Sequence, residues 1–475
     1  MADVAVERSS DSFVERWFKL SSRGTDVGTE VRAGLTTFVV MSYIIVVNPV
    51  ILSTGATIAG QDISFAALVT STCLVAAVMC LAMGLWGNVP FALAPGLGIN
   101  AVVAFQLMVG LKYTFAEAMG VIVLEGLLIT ILVLTGLRQR VLHALPVPLK
   151  LAIGAGIGLF IFSIGAYEAG LYAVPLSATQ GGTVAPPTAG VLGSFTSPTV
   201  LYAVAGLILT AYLMNRGVKG AILIGILSIT LIGVIVHLTT GLPLSVIPGK
   251  LELSGPLVSA PDFRYIGIGL TGLGFLTKGG SALLLAGLLA TVSIMLSDFF
   301  DTAGTFTALG TEAGLVDDQG NLRDNEDRAY VVDSLGALMG GVVGSSSATT
   351  YIESAAGIAE GGQSGLGSVV TAIPFIVAMV FSTLFAIVPQ EATAGALMVV
   401  GVLMLAAVGN DIPWRDFSVA LPALFTVMVM PLTWSITNGI AAGVVLYVLL
   451  NARKSNAVLW VLAAAFALYL VFGTK

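Results

Sequence analysis

Three acidic residues lie within strongly apolar stretches of this sequence. Asp298 and Asp301 are three positions apart and therefore share a helical face, and Glu353 follows in a hydroxyl-rich stretch. A charged residue at the centre of a bilayer costs about 2.5–3.5 kcal/mol, and these stretches contain no Lys or Arg to neutralise it. The acids therefore indicate a site for a polar solute or a proton. Alternatively, Asp301 and Glu353 lie at the ends of spans, where water hydrates them, and Asp298 only packs within the protein or supports its neighbours.

Other chemistries find little support in the motifs. Residues 301–305 (DTAGT) partly match the aspartyl-phosphate motif of ion-pumping ATPases, but Thr302 stands where that motif has Lys, and no loop is long enough for a nucleotide domain. His143 and His237 have no carboxylate or Cys at ligand spacing. We therefore expect no enzyme activity, no cofactor and no metal. The net charge of −6 is spread over loops and predicts no nucleic-acid partner.

The composition places these residues in a membrane protein. Of 475 residues, 57% are hydrophobic and only 10% are charged, and the mean hydropathy is +1.00. Apolar windows of about 20 residues, enough to cross the hydrocarbon core, recur along the chain. The predicted spans are 33–53, 65–87, 91–110, 115–137, 147–168, 198–215, 217–239, 280–309, 327–344, 346–360, 365–388, 391–408, 416–431 and 433–451. Residues 457–473 are either a further span or an interfacial helix.

The distribution of basic residues predicts the orientation. Residues 1–30 are charged and lack a continuous apolar core, so we expect a cytoplasmic amino-terminal segment rather than a cleaved signal. With the amino terminus inside, most Lys and Arg lie on the cytoplasmic side. The exceptions are Lys112, Lys250, Arg264 and Lys278. The predicted location is a multi-pass position in the cell membrane.

Two irregular spans suggest an inverted repeat. Seven spans per half make the second half enter the membrane in the opposite sense. Residues 88–100 (NVPFALAPGLGIN) open the third span, and residues 344–354 (GSSSATTYIES) open the tenth. Both predict an extended segment, at 91–96 and 346–351, followed by a half-helix, and such backbone is tolerated at membrane depth only when buried or lining a cavity. A kinked span or a turn is the alternative for either one alone. The expected fold is thus an all-α integral membrane protein with 14 transmembrane segments in two inverted seven-span repeats.

Six sequence blocks resemble one transporter family. They are residues 47–52 (VNPVIL), 92–101 (ALAPGLGINA), 154–161 (GAGIGLFI), 301–305 (DTAGT), 350–358 (TYIESAAGI) and 430–436 (MPLTWSI). In their order and spacing they resemble the nucleobase–cation symporter (nucleobase–ascorbate transporter) superfamily, in its AzgA-like adenine/guanine/hypoxanthine permease branch. The chain departs from that branch at residues 361–365 (GGQSG), where the family usually has GGRTG, and at Val102 and Val103, where aromatic residues are common.

This resemblance implies a division of the spans. A core domain would comprise residues 31–138 and 280–388, and a gate domain residues 139–240 and 389–453. An extracellular loop, 241–279, would separate the halves, and an apolar segment, 454–475, would end the chain. The resemblance also implies a homodimer in the lipid bilayer and proton-coupled uptake of purine nucleobases.

The resemblance further implies which residues bind the substrate. Asn100, Asp301 and Glu353 match the family's binding positions. We assign Gly98, Tyr351, Phe300 and Thr305 to the same site, with the aromatic rings as stacking surfaces. Asp301 is the first candidate for proton coupling and Asp298 the second. The alternatives are a carrier of uracil, xanthine or another small solute with the same fold, and a channel.

Two further acids in the apolar stretches receive a structural interpretation. Glu125 in the fourth span and Asp333 in the ninth are more typical of groups that hydrogen-bond between helices than of substrate ligands.

Overall fold

The structure, a computed structural model, describes residues 13–136, 146–173, 191–246, 251–252, 256–278, 280–315, 326–409 and 412–472. Its α-helices in chain order are α1 (Phe13–Phe18), α2 (Val27–Met41), α3 (Ile44–Ile58), α4 (Phe65–Ala82), α5 (Leu97–Ala101), α6 (Phe115–Leu134), α7 (Val147–Glu168), α8 (Pro198–Asn215), α9 (Ala221–Thr240), α10 (Ile268–Gly272), α11 (Phe275–Lys278), α12 (Ser281–Glu312), α13 (Glu326–Val343), α14 (Ser354–Ile358), α15 (Gly365–Ala378), α16 (Ser382–Ala386), α17 (Gln390–Gly409), α18 (Phe417–Thr433), α19 (Ile436–Leu450) and α20 (Ala457–Phe472). The strands are β1 (Leu93–Pro95), β2 (Tyr172–Ala173), β3 (Val191–Leu192) and β4 (Ala348–Thr350). Wider π-helical turns continue α4 through Met83–Gly87 and α5 through Val102–Gly110.

Many of these helices are apolar enough to span a bilayer. Within the described ranges eight stretches have the required length and hydropathy: Val27–Ile58, Phe65–Gly87, Phe115–Leu134, Val147–Glu168, Pro198–Asn215, Ala221–Thr240, Leu283–Glu312 and Gly365–Ala386. Shorter apolar helices lie at Leu97–Gly110, Ile268–Thr277, Gln390–Ala406, Phe417–Thr433, Ile436–Leu450 and Ala457–Val471. The chain is therefore a multi-pass membrane protein. Helix α13 occupies the predicted ninth span but carries several charged residues.

Two short strands from distant parts of the chain pair with each other. Strands β1 and β4 are antiparallel, with Leu93 opposite Thr350 and Pro95 opposite Ala348. They lie within the segments predicted to be extended, and all their residues are buried. The ladder continues at both ends, because Gly96 N donates to Ser347 O and Tyr351 N donates to Ala92 O, both at 2.9 Å. The backbone of these segments is thus hydrogen-bonded within the protein, as a non-aqueous surrounding requires.

Each strand leads directly into a short helix. Strand β1 is followed by α5, and β4 by α14. The hydroxyl of Ser354, at the start of α14, accepts a 3.0 Å hydrogen bond from Ala92 N. The run of Ser residues before β4 is a poor helix interior, and Ser346 adopts a left-handed φ of 72° that helps the chain turn into the strand. These contacts fix the two short helices relative to each other.

Glycines let several helices approach closely. A Cβ on Gly365, at the start of α15, would overlap the carbonyl oxygen of Gly84 near the end of α4. A Cβ on Gly34 of α2 would overlap Gly367 O of α15 in the same way. Small residues at such contacts are typical of helix packing in membranes. Helix α15 therefore packs tightly against α2 and α4, while α7 packs against α17 and α18 in a second group of helices.

Candidate functional site

A cavity of about 130 Å³ opens beside the strand pair. Helices α5 and α12, strand β4 and the residues between β4 and α14 form much of its wall, and Tyr43, between α2 and α3, adds a phenol. Helices α7 and α17 close the other side with apolar side chains. The residues that line the cavity are Tyr43, Gly96, Leu97, Gly98, Ile99, Ile157, Ser297, Asp298, Asp301, Thr305, Thr349, Thr350, Tyr351, Ile352, Glu353, Val400 and Met404.

Glu353 lies immediately before α14 and is half-buried. Its Oε1 accepts a 2.6 Å hydrogen bond from the hydroxyl of Tyr43, which is almost completely buried. A short hydrogen bond to a carboxylate favours one orientation of that carboxylate. Tyr43 therefore orients the Glu353 carboxylate in the wall of the cavity.

Asp301 occupies the wall contributed by α12. Its side chain is exposed towards the cavity and makes no hydrogen bond to any residue that the structure describes. Asp298 lines the same cavity one helical turn earlier but is only 2% exposed. The two carboxyls thus share a helical face, as their spacing predicts, in different surroundings. Asp301 can meet a solute or water directly, whereas Asp298 lies deeper in the wall.

The other predicted site residues fall into three groups. Gly98, Tyr351 and Thr305 line the cavity, and the Tyr351 hydroxyl donates a 2.5 Å hydrogen bond to Pro95 O. Asn100 does not line it: its side chain is completely buried, and neither amide atom has a hydrogen-bond partner among the residues that the structure describes. The backbone of Phe300 lies in α12, but its side chain is outside the described part of the structure.

Several cavity residues could not be found by their sequence patterns. Tyr43 interrupts an apolar run that reads as one continuous span, and only the break between α2 and α3 turns its hydroxyl towards Glu353. Ile157, Val400 and Met404 belong to spans that are apolar on all sides, so hydropathy does not reveal which face meets the cavity. Phe91 and Phe306 are buried and pack against each other, with ring centroids 5.3 Å apart, and neither is among the described residues that line the cavity.

Asp333 holds the strand side of the cavity in place. Its Oδ1 accepts hydrogen bonds from the backbone N (2.9 Å) and the hydroxyl (2.7 Å) of Thr350, and its Oδ2 accepts one from the Thr302 hydroxyl at 2.7 Å. These contacts join α13 to β4 and to α12. They confirm the interpretation of Asp333 as a group that hydrogen-bonds between elements.

The arrangement suits recognition of a flat polar ring. Carboxylate oxygens of Glu353 and Asp301 can accept N–H donors from the edge of a ring, and the hydroxyl of Thr305 can donate or accept. Ile157 and Met404 provide apolar surface for its faces. The charged side chains among the described lining residues are the acids Asp298, Asp301 and Glu353, and ionised carboxylates there would repel an anionic ligand.

Comparison with known proteins gives a family match across the chain. The model of a permease family, Xan_ur_permease, matches residues 28–442. The guanine/hypoxanthine permease PbuG of Bacillus subtilis is 35% identical over 468 residues, covering 97% of this chain and 100% of that protein. The adenine permease AdeQ of Escherichia coli is 35% identical over 463 residues, covering 96% of each.

A solved structure shares the fold. The transmembrane domain of a cyanobacterium bicarbonate transporter, BicA, superposes with a TM-score of 0.60 at 15% identity, covering 88% of this chain and 97% of that one. At this identity the likeness concerns the fold alone.

Proposed function

The chain belongs to this permease family, and we propose that it is a secondary transporter that takes up purine nucleobases such as guanine, hypoxanthine and adenine. The relatives named for these bases match it over nearly their whole length, which supports the substrate class. In the structure, the observation that carries the proposal is the meeting of two carboxylates and an apolar wall in one cavity. A purine needs acceptors for its ring and exocyclic N–H groups and apolar surfaces for its faces.

The proposed substrate ligands have different roles. Glu353, oriented by Tyr43, accepts hydrogen bonds from the purine edge. Asn100 lies next to the cavity-lining Ile99, and its unpaired amide would gain a donor and an acceptor from the substrate or from water. The backbone of Gly98 allows close approach of the ring, and Tyr351 closes one edge of the cavity.

Proton symport is the proposed energy source. Asp301 faces the cavity without a hydrogen-bond partner among the described residues, so it can exchange a proton with cavity water. Its surroundings would change between a hydrated open state and a dry closed state, which alters the relative stability of its charged form. Asp298 is the second candidate for this role.

The proposed transport machinery has 14 spans in two inverted repeats. The third and tenth spans would be broken at β1 and β4, with the amino terminus in the cytoplasm and two copies forming a homodimer. The close packing of α15 on α2 and α4 is compatible with a core domain, and that of α7 on α17 and α18 with a gate domain. Ile157 and Met404 would then bring the gate against a substrate held by the core.

Rival substrates are tested by competition. Purified protein in liposomes should take up labelled hypoxanthine, and unlabelled adenine or guanine should reduce that uptake. Uracil, xanthine and bicarbonate at the same concentration should compete weakly. Stronger competition by uracil than by every purine would reject the purine assignment. Preloaded unlabelled substrate should accelerate labelled entry, as expected of a carrier, whereas an unaffected rate would indicate a channel.

A further inference from the structure

Glu125 of α6 is a fully buried acid close to the substrate cavity. Its side chain is 0% exposed, and among the described residues neither carboxyl oxygen makes a hydrogen bond of normal geometry. The carboxyl faces Asp298 of α12 and Ser347, the residue before β4. Asp298 in turn lines the cavity. Asp298 therefore lies between the cavity and Glu125.

The described titratable residues around Glu125 are acids. They are Asp298 of α12 and Asp333 of α13, and Asp298 in turn interacts with Asp301. None of the ion pairs formed by the described Lys, Arg and His residues involves these acids. Any ionised carboxylate here must therefore be stabilised by hydrogen-bond donors.

The donors are unevenly distributed. Asp333 accepts three hydrogen bonds from Thr302 and Thr350, which suits a carboxylate anion. Asp298 accepts a long 3.4 Å contact from the Ser347 hydroxyl, and the other side chain that meets its carboxyl is the acid Glu125. Burial of an ionised carboxyl without donors is strongly unfavourable. Glu125 and Asp298 consequently hold at least one proton between them in this structure.

This placement distinguishes Glu125 from a group that only joins helices. Asp333 shows what the joining role looks like, with three contacts made to donors on neighbouring elements. Glu125 faces the Ser347 hydroxyl and also the carboxyl of Asp298, which itself reaches the cavity. A protonatable group in this position can exchange protons with the cavity through one intermediate.

This inference rests on the proposed proton-coupled uptake. We propose that Glu125 is a proton-binding site behind the substrate cavity and that Asp298 carries the proton between the cavity and Glu125. When the cavity is open and its water hydrates the unprotonated pair, a proton from that water adds to the Asp298 carboxylate and then moves to the Glu125 carboxylate, which restores ionised Asp298. The proton leaves by the reverse path when the cavity opens to the other side. Only O–H bonds form and break, and the transported proton is the one supplied by the gradient.

The test uses Glu125→Gln, which preserves shape and removes the proton site. Each protein is reconstituted into liposomes that contain a pH-sensitive dye, and labelled hypoxanthine is the substrate. We expect the variant to retain counterflow exchange of hypoxanthine and to lose the internal acidification that accompanies hypoxanthine entry. Retained exchange shows that the variant is folded.

Glu168→Gln is the matched control. Glu168 of α7 is also buried with both carboxyl oxygens unpaired, but it faces Glu391 and does not line the cavity. This variant should keep both exchange and acidification. Loss of acidification in the control as well would overturn the assignment, because removal of any buried acid would then suffice.

The outcomes separate this inference from the proposed function. If the interior of liposomes that contain Glu125→Gln acidifies as much as with the wild type, the role of Glu125 is overturned and proton symport is left intact. Absence of acidification in the wild type overturns proton symport itself. If Glu125→Gln loses exchange, the role of Glu125 is tested by infrared difference spectra of the Asp301→Asn variant. A protonated-carboxyl band that responds to hypoxanthine supports the Glu125–Asp298 site. Absence of such a band overturns it.

Discussion

The hydroxyl of Tyr43 donates a 2.6 Å hydrogen bond to Oε1 of Glu353, a residue 310 positions away in the chain. The contact joins the break between α2 and α3 to the entrance of α14, and both residues line the cavity. The orientation of the proposed substrate acceptor therefore depends on a residue in the first membrane span.

Tyr43→Phe should weaken substrate binding. The phenyl ring fills the same space, but Glu353 loses a hydrogen bond to a charged group, a type of contact worth about 1.5–3 kcal/mol. We expect the Kd for hypoxanthine to rise by about tenfold, measured by equilibrium binding to protein in detergent. Tyr172→Phe is the control, because that hydroxyl contacts Ser163 O rather than a cavity residue. An unchanged Kd for Tyr43→Phe would show that this hydrogen bond does not orient the acceptor.

Glu353→Gln and Asp301→Asn should impair transport by different routes. The amide at 353 loses charge-assisted hydrogen bonds to substrate N–H groups, so the Kd should rise by at least about tenfold. The amide at 301 resembles the protonated acid and should retain binding while gradient-driven accumulation is lost. Equilibrium binding and concentrative uptake are measured on both variants. Near-normal binding by Glu353→Gln would show that Glu353 is not the main substrate acceptor. Undiminished accumulation by Asp301→Asn would show that Asp301 is not the proton-coupling residue.

Gly98→Ala should obstruct the contact between α5 and α7. A Cβ on Gly98 would lie 2.6 Å from Cγ2 of Ile157, closer than carbon atoms pack. We expect a lower maximal uptake rate, partly restored in the Gly98→Ala/Ile157→Ala double variant because that change removes Cγ2. Gly304→Ala is the control, since a Cβ there meets no atom within 4 Å. Failure of the double variant to recover any rate would contradict a steric cause.

Gly365→Ala should destabilise the packing of α15 on α4. The added methyl group would overlap Gly84 O, and overpacking of this kind costs about 1–3 kcal/mol. The apparent Tm of the purified protein, followed by the loss of monodisperse material on heating, should fall, whereas Gly304→Ala should leave it close to that of the wild type. An unaltered Tm for Gly365→Ala would mean that the two helices can separate at no cost.

Apolar run length predicts many helices directly from the sequence. The predicted span 198–215 coincides with α8 (Pro198–Asn215), and 147–168 coincides with α7 (Val147–Glu168). A helix satisfies its own backbone hydrogen bonds, so its limits depend mainly on local residues. The membrane class and the positions of these helices are therefore local properties of the chain.

Part of the candidate site was also accessible from the sequence. Acids in an apolar stretch are costly, and this cost singled out Asp301 and Glu353, which the fold brings to one cavity. Gly98, Tyr351 and Thr305 were assigned with them and line the same cavity. The cost of buried charge drew attention to the two acids, and the resemblance to a transporter family supplied the association with a single site.

The tertiary structure decided which groups face one another. The pairing of β1 with β4, the hydrogen bond from Tyr43 to Glu353 and the position of Glu125 beside Asp298 all join residues far apart in the chain. Spans that are apolar on every side carry no periodic signal of their inward face. The sequence alone therefore determined that carboxyl groups lie in the membrane, but only the packed helices determined which of them receive donors and which must hold a proton.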